Sequence, residues 1–242
     1  MKALLPGAVV YDTALADSAS RQAVNRCDIA FVCVPTPAAA DGRCDVAAVE
    51  ECAQWLKTPL IVLRSTVAPG TTQRLASMLR KHIVFQPEYL GETVAHPYAD
   101  SRRRQFIVLG GTDDECARVV DFYSQIYNST VRFHVTDATT AELAKYMENA
   151  FFASKVLFCT EFRRIADALG VPYSRLREVW LADTRISPDH TFAFAEDPGF
   201  GGKCLPKDLQ AILASARAAG VNPRFLQAVH DTNRTYRANR ND

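Results

Sequence analysis

Short apolar runs rich in β-branched residues recur along the first half of the chain, at Ala8–Tyr11, Ile29–Val34, Leu60–Leu63, Ile83–Phe85, Phe106–Leu109 and Val131–Val135. Runs this short and this continuously apolar predict strands buried on both faces. Between most of them, Val46–Leu56, Thr72–Lys81 and Asp114–Ile126 carry apolar residues at helical spacing. Strands alternating with helices predict a parallel sheet covered on both faces, a doubly wound α/β domain. The pattern changes after Asp137. Ala138 to Leu169 contains no glycine or proline and is followed by Gly170, so a long helix with a glycine stop opens a second, all-helical region. Shorter helices are predicted at Ser174–Ala182, Pro206–Ala219 and Pro223–Arg237, with a Pro/Gly-rich loop from Ser187 to Gly202 between them. The chain divides into residues 1–136 and 137–242, without internal repeat or low-complexity tract.

Leu143, Met147, Ala150, Val156 and Phe158 lie on several faces of the long helix, as expected for a helix buried between neighbours or in a dimer. Core packing is the preferred reading for these positions. Lys145 and Asn149, one turn apart, share a face that spacing alone explains equally well as solvated.

Composition narrows the function. The 242 residues are 48% hydrophobic and 23% charged, the make-up of a soluble globular protein. With 28 basic against 27 acidic residues, no global charge draws the chain to nucleic acid or anionic lipid, so a small-molecule partner is expected. Seven cysteines form no Cys-x-x-Cys pair, which predicts reduced thiols in the cytoplasm and no metal site. The start, MKALLPGAVVYD, fits neither a signal peptide nor a membrane span.

Four segments carry candidate chemistry. In GFGGKCLPKD, Gly199 to Asp208, three glycines within four residues allow close backbone approach to a ligand just before Cys204. Pro206 suits a helix first turn, which puts Cys204 beside a helix N-terminus. There, with Lys203 and Lys207 nearby, its thiol is expected to fall below the reference pKa of about 8.5 and to react as thiolate. The other six cysteines read as inert buried thiols. In Gln86–Glu92, two carboxylates four apart follow a strand at its carboxyl end, where open α/β sheets bind ligands; they suit a base and an orienting group, or equally the acidic first turn of a helix. RSTVAPGTT, Arg64 to Thr72, offers hydroxyls and a flexible glycine after another strand. In CVPTP, Cys33 to Pro37, the prolines end a strand abruptly and leave an open crevice.

Taken in order, VPTP, STVAPGTT, PEYLGE, AELAKYMEN and GFGGKCLPKD resemble the successive signatures of the UDP-glucose/GDP-mannose dehydrogenase family, over roughly residues 8 to 233. The resemblance implies a Rossmann-like parallel sheet followed by an all-helical domain, a homodimer through the long helix of residues 138–169, and oxidation of a nucleotide-sugar primary alcohol to the uronate with two successive hydride transfers to NAD. It puts the nucleophile on Cys204, which would hold a thiohemiacetal and then a thioester. It implies Glu88 as general base for thioester hydrolysis, Lys145 and Asn149 as the pair stabilising the developing oxyanion, and Asp208 and Thr66 as residues positioning the catalytic water. Substrate contacts would come from Glu88, Tyr89, Leu90, Glu92, Lys145, Asn149, Gly199, Gly201 and Cys204. Cofactor contacts would come from Asp12, Val34, Pro35, Thr36, Ser65, Thr66, Glu92 and Lys207.

The chain departs from the family pattern at both ends. No Gly-x-Gly-x-x-Gly turn for the NAD pyrophosphate is present. MKALLPGAVVYD resembles the tail of that first helix followed by the second strand, with Asp12 placed for the adenosine ribose, which reads Met1 as internal to a longer sequence or as a misplaced start. The stretch from Asp12 to Cys27 is short. The chain stops near Asn239, where the family continues into a third domain, and Thr160 stands where the family tends to have asparagine. Three rivals follow: a non-catalytic binding or assembly subunit that lacks the glycine turn, a two-electron hydroxyacid-type dehydrogenase that needs no cysteine, and, least supported, a thiol redox enzyme.

Overall fold

The structure is a computed structural model that describes residues 4–89 and 105–238. It forms two compact units, one of Met1–Pro37 with Asp45–Lys145 and one of Ala38–Cys44 with Tyr146–Asp242.

The first unit is a five-stranded sheet in the order β1 (Ile29–Val32), β2 (Leu60–Leu63), β3 (Ile83–Phe85), β4 (Phe106–Gly110), β5 (Arg132–Thr136). β1, β2 and β3 are parallel, as are β4 and β5. β3 and β4 meet antiparallel at Phe85 and Gly110, so the sheet is parallel except at that junction. Five of the six expected strands form. Their side chains alternate between two cores: Ile61, Leu63, Ile83 and Phe85 face α2 (Ala47–Trp55) and α3 (Thr71–Leu79), and Leu60, Val62, Val84 and Leu109 face α4 (Asp113–Ser124). Burial on both faces is why these strands read as unbroken apolar runs.

The strand expected at Ala8–Tyr11 does not form. Its backbone meets none of the described strands; the chain turns at Asp12–Leu15 and doubles back, with the Ala19 amide donating to the Val10 carbonyl at 2.8 Å. Apolar β-branched residues make a strand only where a neighbour pairs with their backbone groups. A short helix, α1 (Arg21–Val24), follows, capped by the Ser20 hydroxyl.

α5 runs unbroken from Ala138 to Ala168 and stops at Gly170, whose φ of 71° lies in the left-handed region that a glycine enters without strain. Gly110 of β4 leaves room for its first turn, since a Cβ there would lie 2.6 Å from the Ala141 Cβ. In the second unit the later part of α5 packs with α7 (Leu205–Ala218) and α8 (Arg224–Ala238) around Ala153, Leu157, Phe200, Leu209, Leu213, Val229 and Tyr236. α6 is Tyr173–Trp180. Ala38 and Cys44 form an isolated antiparallel bridge. Among the described residues no helix is long and apolar enough to cross a membrane, and no group of three metal-ligating side chains occurs.

Within a single chain, α5 is covered only in part at the positions expected to pack against neighbours or in a dimer. Ala150 is buried, but Leu143 (47%), Met147 (75%) and Phe158 (47%) are exposed. Phe151, Phe162, Ile165 and Leu169 are exposed too, continuing an apolar stripe along the helix. Periodicity reports which faces are apolar and not which neighbour covers them.

Candidate active site

The first unit gathers its candidate residues at the carboxyl ends of β1 and β2. The Arg64 amide donates to the Val32 carbonyl at 2.9 Å, the Ser65 hydroxyl to the Val34 carbonyl at 2.6 Å, and the Thr36 hydroxyl to the Thr66 carbonyl at 2.7 Å. These bonds tie the VPTP and RSTVAPG segments into one polar edge, with Thr36 and Ser65 buried. Beside them, residues 86–89 leave β3 as irregular chain, not a helix first turn. Gln86 is fixed by its amide donating to the Leu63 carbonyl at 2.8 Å and by the Tyr123 hydroxyl donating to its Oε1 at 2.7 Å.

Glu88 pairs with the guanidinium of Arg64, whose side chain is 5% exposed against 31% for Glu88. The other carboxylate oxygen accepts from the Tyr89 amide at 2.8 Å. A buried arginine needs a counter-charge. The ammonium of Lys145 lies 4.7 Å from the centre of the Tyr89 ring, which itself rests 5.0 Å from Phe106. Leu90 and Glu92 lie outside the described residues.

One group that sequence alone did not single out organises this unit. Gly70, the N-cap of α3, has no side chain to satisfy the first amides of its helix. The fully buried carboxylate of Glu142, on α5, does so instead, accepting from the Gly70 amide at 2.5 Å, the Thr72 amide at 2.8 Å and the Thr72 hydroxyl at 2.6 Å. Burial pushes its carboxyl above the ordinary value, with the Thr72 and Gly70 bonds opposing. Its sequence signal was a carboxylate one turn before Lys145.

In the second unit Cys204 is exposed and is the N-cap of α7, with Pro206 in the first turn. Asp208, in that turn, is 2% exposed; the Asn149 amide donates to its Oδ2 at 2.5 Å, and Lys207 pairs with Oδ1. Asn149 is itself buried, so its position on α5 is not a solvated face. Among the other cysteines, Cys44, Cys116 and Cys159 are buried, and the thiol of Cys116 is pushed up to about 11 by burial. Cys33 departs from the inert buried reading, because it is exposed by area, yet desolvation of its thiol still raises it.

The fit to a dinucleotide is uneven. The edge of Val34, Thr36, Ser65 and Thr66 lies where α/β sheets bind such ligands, but the Thr36 and Ser65 hydroxyls are buried and spent on the Thr66 and Val34 carbonyls. The first amides of α3 are taken up by Glu142 and are not open to a ligand. Asp12 sits in an exposed turn, its Oδ1 accepting from the Ala14 amide at 2.9 Å, and not at the end of a strand.

A mostly parallel, helix-covered sheet, followed in the chain by a helical region with an exposed cysteine at a helix start, is a Rossmann-type arrangement. Residues 5–131 match the NAD binding domain and residues 139–235 the central domain of the UDP-glucose/GDP-mannose dehydrogenase family, and the chain belongs to that family. It is 30% identical over 228 residues to a UDP-glucose 6-dehydrogenase of Bacillus subtilis, covering 89% of this chain and 48% of that one. It is 33% identical over 228 residues to a UDP-glucose 6-dehydrogenase of Haloferax volcanii, covering 85% and 52%. The structure of a UDP-glucose dehydrogenase from Pyrobaculum islandicum superposes with a TM-score of 0.76 at 31% identity, over 89% of this chain and 52% of that one. The chain thus spans about half the length of the relatives it matches.

Proposed function

We propose that the chain carries the machinery for NAD-dependent, four-electron oxidation of the primary alcohol of a nucleotide sugar to the uronate. The observation that carries this reading is the exposed Cys204 at the start of α7, with the buried Asp208 in the same turn held by Asn149 of α5. Val34–Thr36 and Ser65–Thr66 would hold NAD, which would supply the hydride acceptor for both oxidations.

The residues divide the remaining work. At the aldehyde stage the Cys204 thiolate adds to the carbonyl carbon, forming the C–S bond, while the Lys145 ammonium and Asn149 amide donate to the oxygen that becomes negative. Oxidation of that thiohemiacetal gives a thioester. Glu88, paired with Arg64, takes a proton from water; hydroxide attacks the thioester, the C–S bond breaks, and the carboxylate product leaves a thiol on Cys204. Thr66 and Asp208 orient that water.

Glu88→Gln should let the thioester form and slow its hydrolysis. Intact-mass measurement after mixing this variant with NAD and a panel of UDP- and GDP-sugars should find one covalent adduct, mapped to Cys204. NADH formed without any adduct would count against the covalent route.

We also propose a cytoplasmic homodimer through α5, supported by the seven cysteines without a disulfide and by the exposed stripe of Met147, Phe151, Phe158, Phe162, Ile165 and Leu169. Phe151→Glu should convert a dimer to a monomer in sedimentation; a monomeric wild type would reject the interface.

A non-catalytic binding or assembly subunit is the second reading. It is supported by Asp12, the residue the resemblance places for the adenosine ribose, which sits in an exposed turn and not at a strand end. No detectable heat on mixing with NAD would favour it.

A further inference from the structure

The glycine loop before Cys204 is gripped by α8. The Phe200 amide donates to the Asn233 Oδ1 at 2.8 Å, and the Asn233 Nδ2 donates to the Phe200 carbonyl at 3.1 Å, so one buried side chain holds both backbone groups of a single loop residue. The bare faces of two glycines meet the same helix: a Cβ at Gly199 would lie 2.5 Å from Asn233 Oδ1, and one at Gly201 would lie 2.9 Å from an Arg237 guanidinium nitrogen. Arg237 also pairs with Asp197, just before the loop. Asn233 and Arg237 are one turn apart and share a face of α8. These two glycines therefore admit helix α8 on the faces that lack a Cβ.

Downstream, Leu209 and Leu213 fix α7 in the core that also holds the Phe200 ring. Cys204 thus lies between two anchored points, the Phe200 clamp and the first turn of α7.

We infer that Asn233 is a positioning residue for Cys204, acting through the Phe200 backbone to keep the thiol at the α7 N-terminus, where the amides favour thiolate. The inference rests on the reading of Cys204 as nucleophile, but its test does not need turnover. Asn233→Ala removes both bonds to Phe200. Asn233→Asp keeps an acceptor for the Phe200 amide and guards against a variant that does not fold. Val229→Ala, in the same core and on the same helix, removes packing while keeping both Asn233 bonds to Phe200.

The rate of Cys204 alkylation by iodoacetamide, read by peptide mass well below each unfolding temperature, should fall about threefold in Asn233→Ala, the size of a lost anion interaction at a helix end. Asn233→Asp should fall between it and the wild type, and Val229→Ala should match the wild type. A wild-type rate in Asn233→Ala, or an equal fall in Val229→Ala, would overturn the inference. Should the wild type form no NADH, the dehydrogenase reading fails while the alkylation rates still decide the role of Asn233.

Discussion

Cys204→Ala is expected to lower uronate formation from a nucleotide sugar by at least about 10⁴-fold, within the range seen when a covalent nucleophile is removed. An aldehyde or its hydrate can be oxidised without a thiol, but the enzyme then lacks the tetrahedral adduct that holds the carbon in place for loss of its second hydride. The NADH that is formed should correspond to one oxidation per sugar, with aldehyde released into solution. Steady-state absorbance at saturating sugar, with an aldehyde trap such as hydroxylamine, reads both quantities. Full turnover in Cys204→Ala would move the chain to the two-electron hydroxyacid-type dehydrogenases. The fold should be unaffected, because Cys204 is exposed and makes no side-chain cap to α7.

Glu142→Ala is expected to be the most destabilising single change, at about 4 kcal/mol. That figure combines the unmet buried donors, at roughly 1–3 kcal/mol each, with the loss of a helix cap worth about 1 kcal/mol, partly offset by relaxation. Three donors lose their acceptor at once: the Gly70 amide, the Thr72 amide and the Thr72 hydroxyl. Gly70 cannot replace the cap, and Thr72 is buried. Denaturant unfolding measures the change, and a loss under about 1 kcal/mol would show that water restores the cap. The pH dependence has a definite sign. Burial makes the folded carboxyl bind its proton more tightly than the unfolded one, so its contribution is present below the ordinary carboxylate pKa and is lost as pH rises through the higher folded value. Glu142→Gln, which does not titrate, should remove that part of the slope.

What was legible in the sequence follows from which signals are local. Ile61, Val62 and Val84 announced strands because both faces of the sheet are covered. The GFGGKCLPKD segment announced a helix start because Pro206 and the glycines act within a few residues of Cys204. The strand propensity of Val9 and Val10 could not do the same at Ala8–Tyr11, because a strand also needs a partner, and none of the described strands pairs with this segment. Arg64 with Glu88, Glu142 with Gly70 and Asn233 with Phe200 are separated by tens of residues, and no spacing rule connects them. Arg64 and Glu142 stood inside quoted motifs, yet a charged residue in a motif does not declare whether it faces a ligand or a neighbouring loop. The glycines at 199 and 201 show the same ambiguity, since close approach by a helix and by a ligand require the same missing Cβ.

The most direct test of the central claim is to count NADH formed per nucleotide sugar consumed by the purified wild-type chain supplied with NAD and a panel of UDP- and GDP-sugars. Two NADH per sugar, with uronate as product, is the result the Cys204 chemistry predicts. One NADH per sugar with accumulating aldehyde, or none together with no heat of NAD binding, would contradict it.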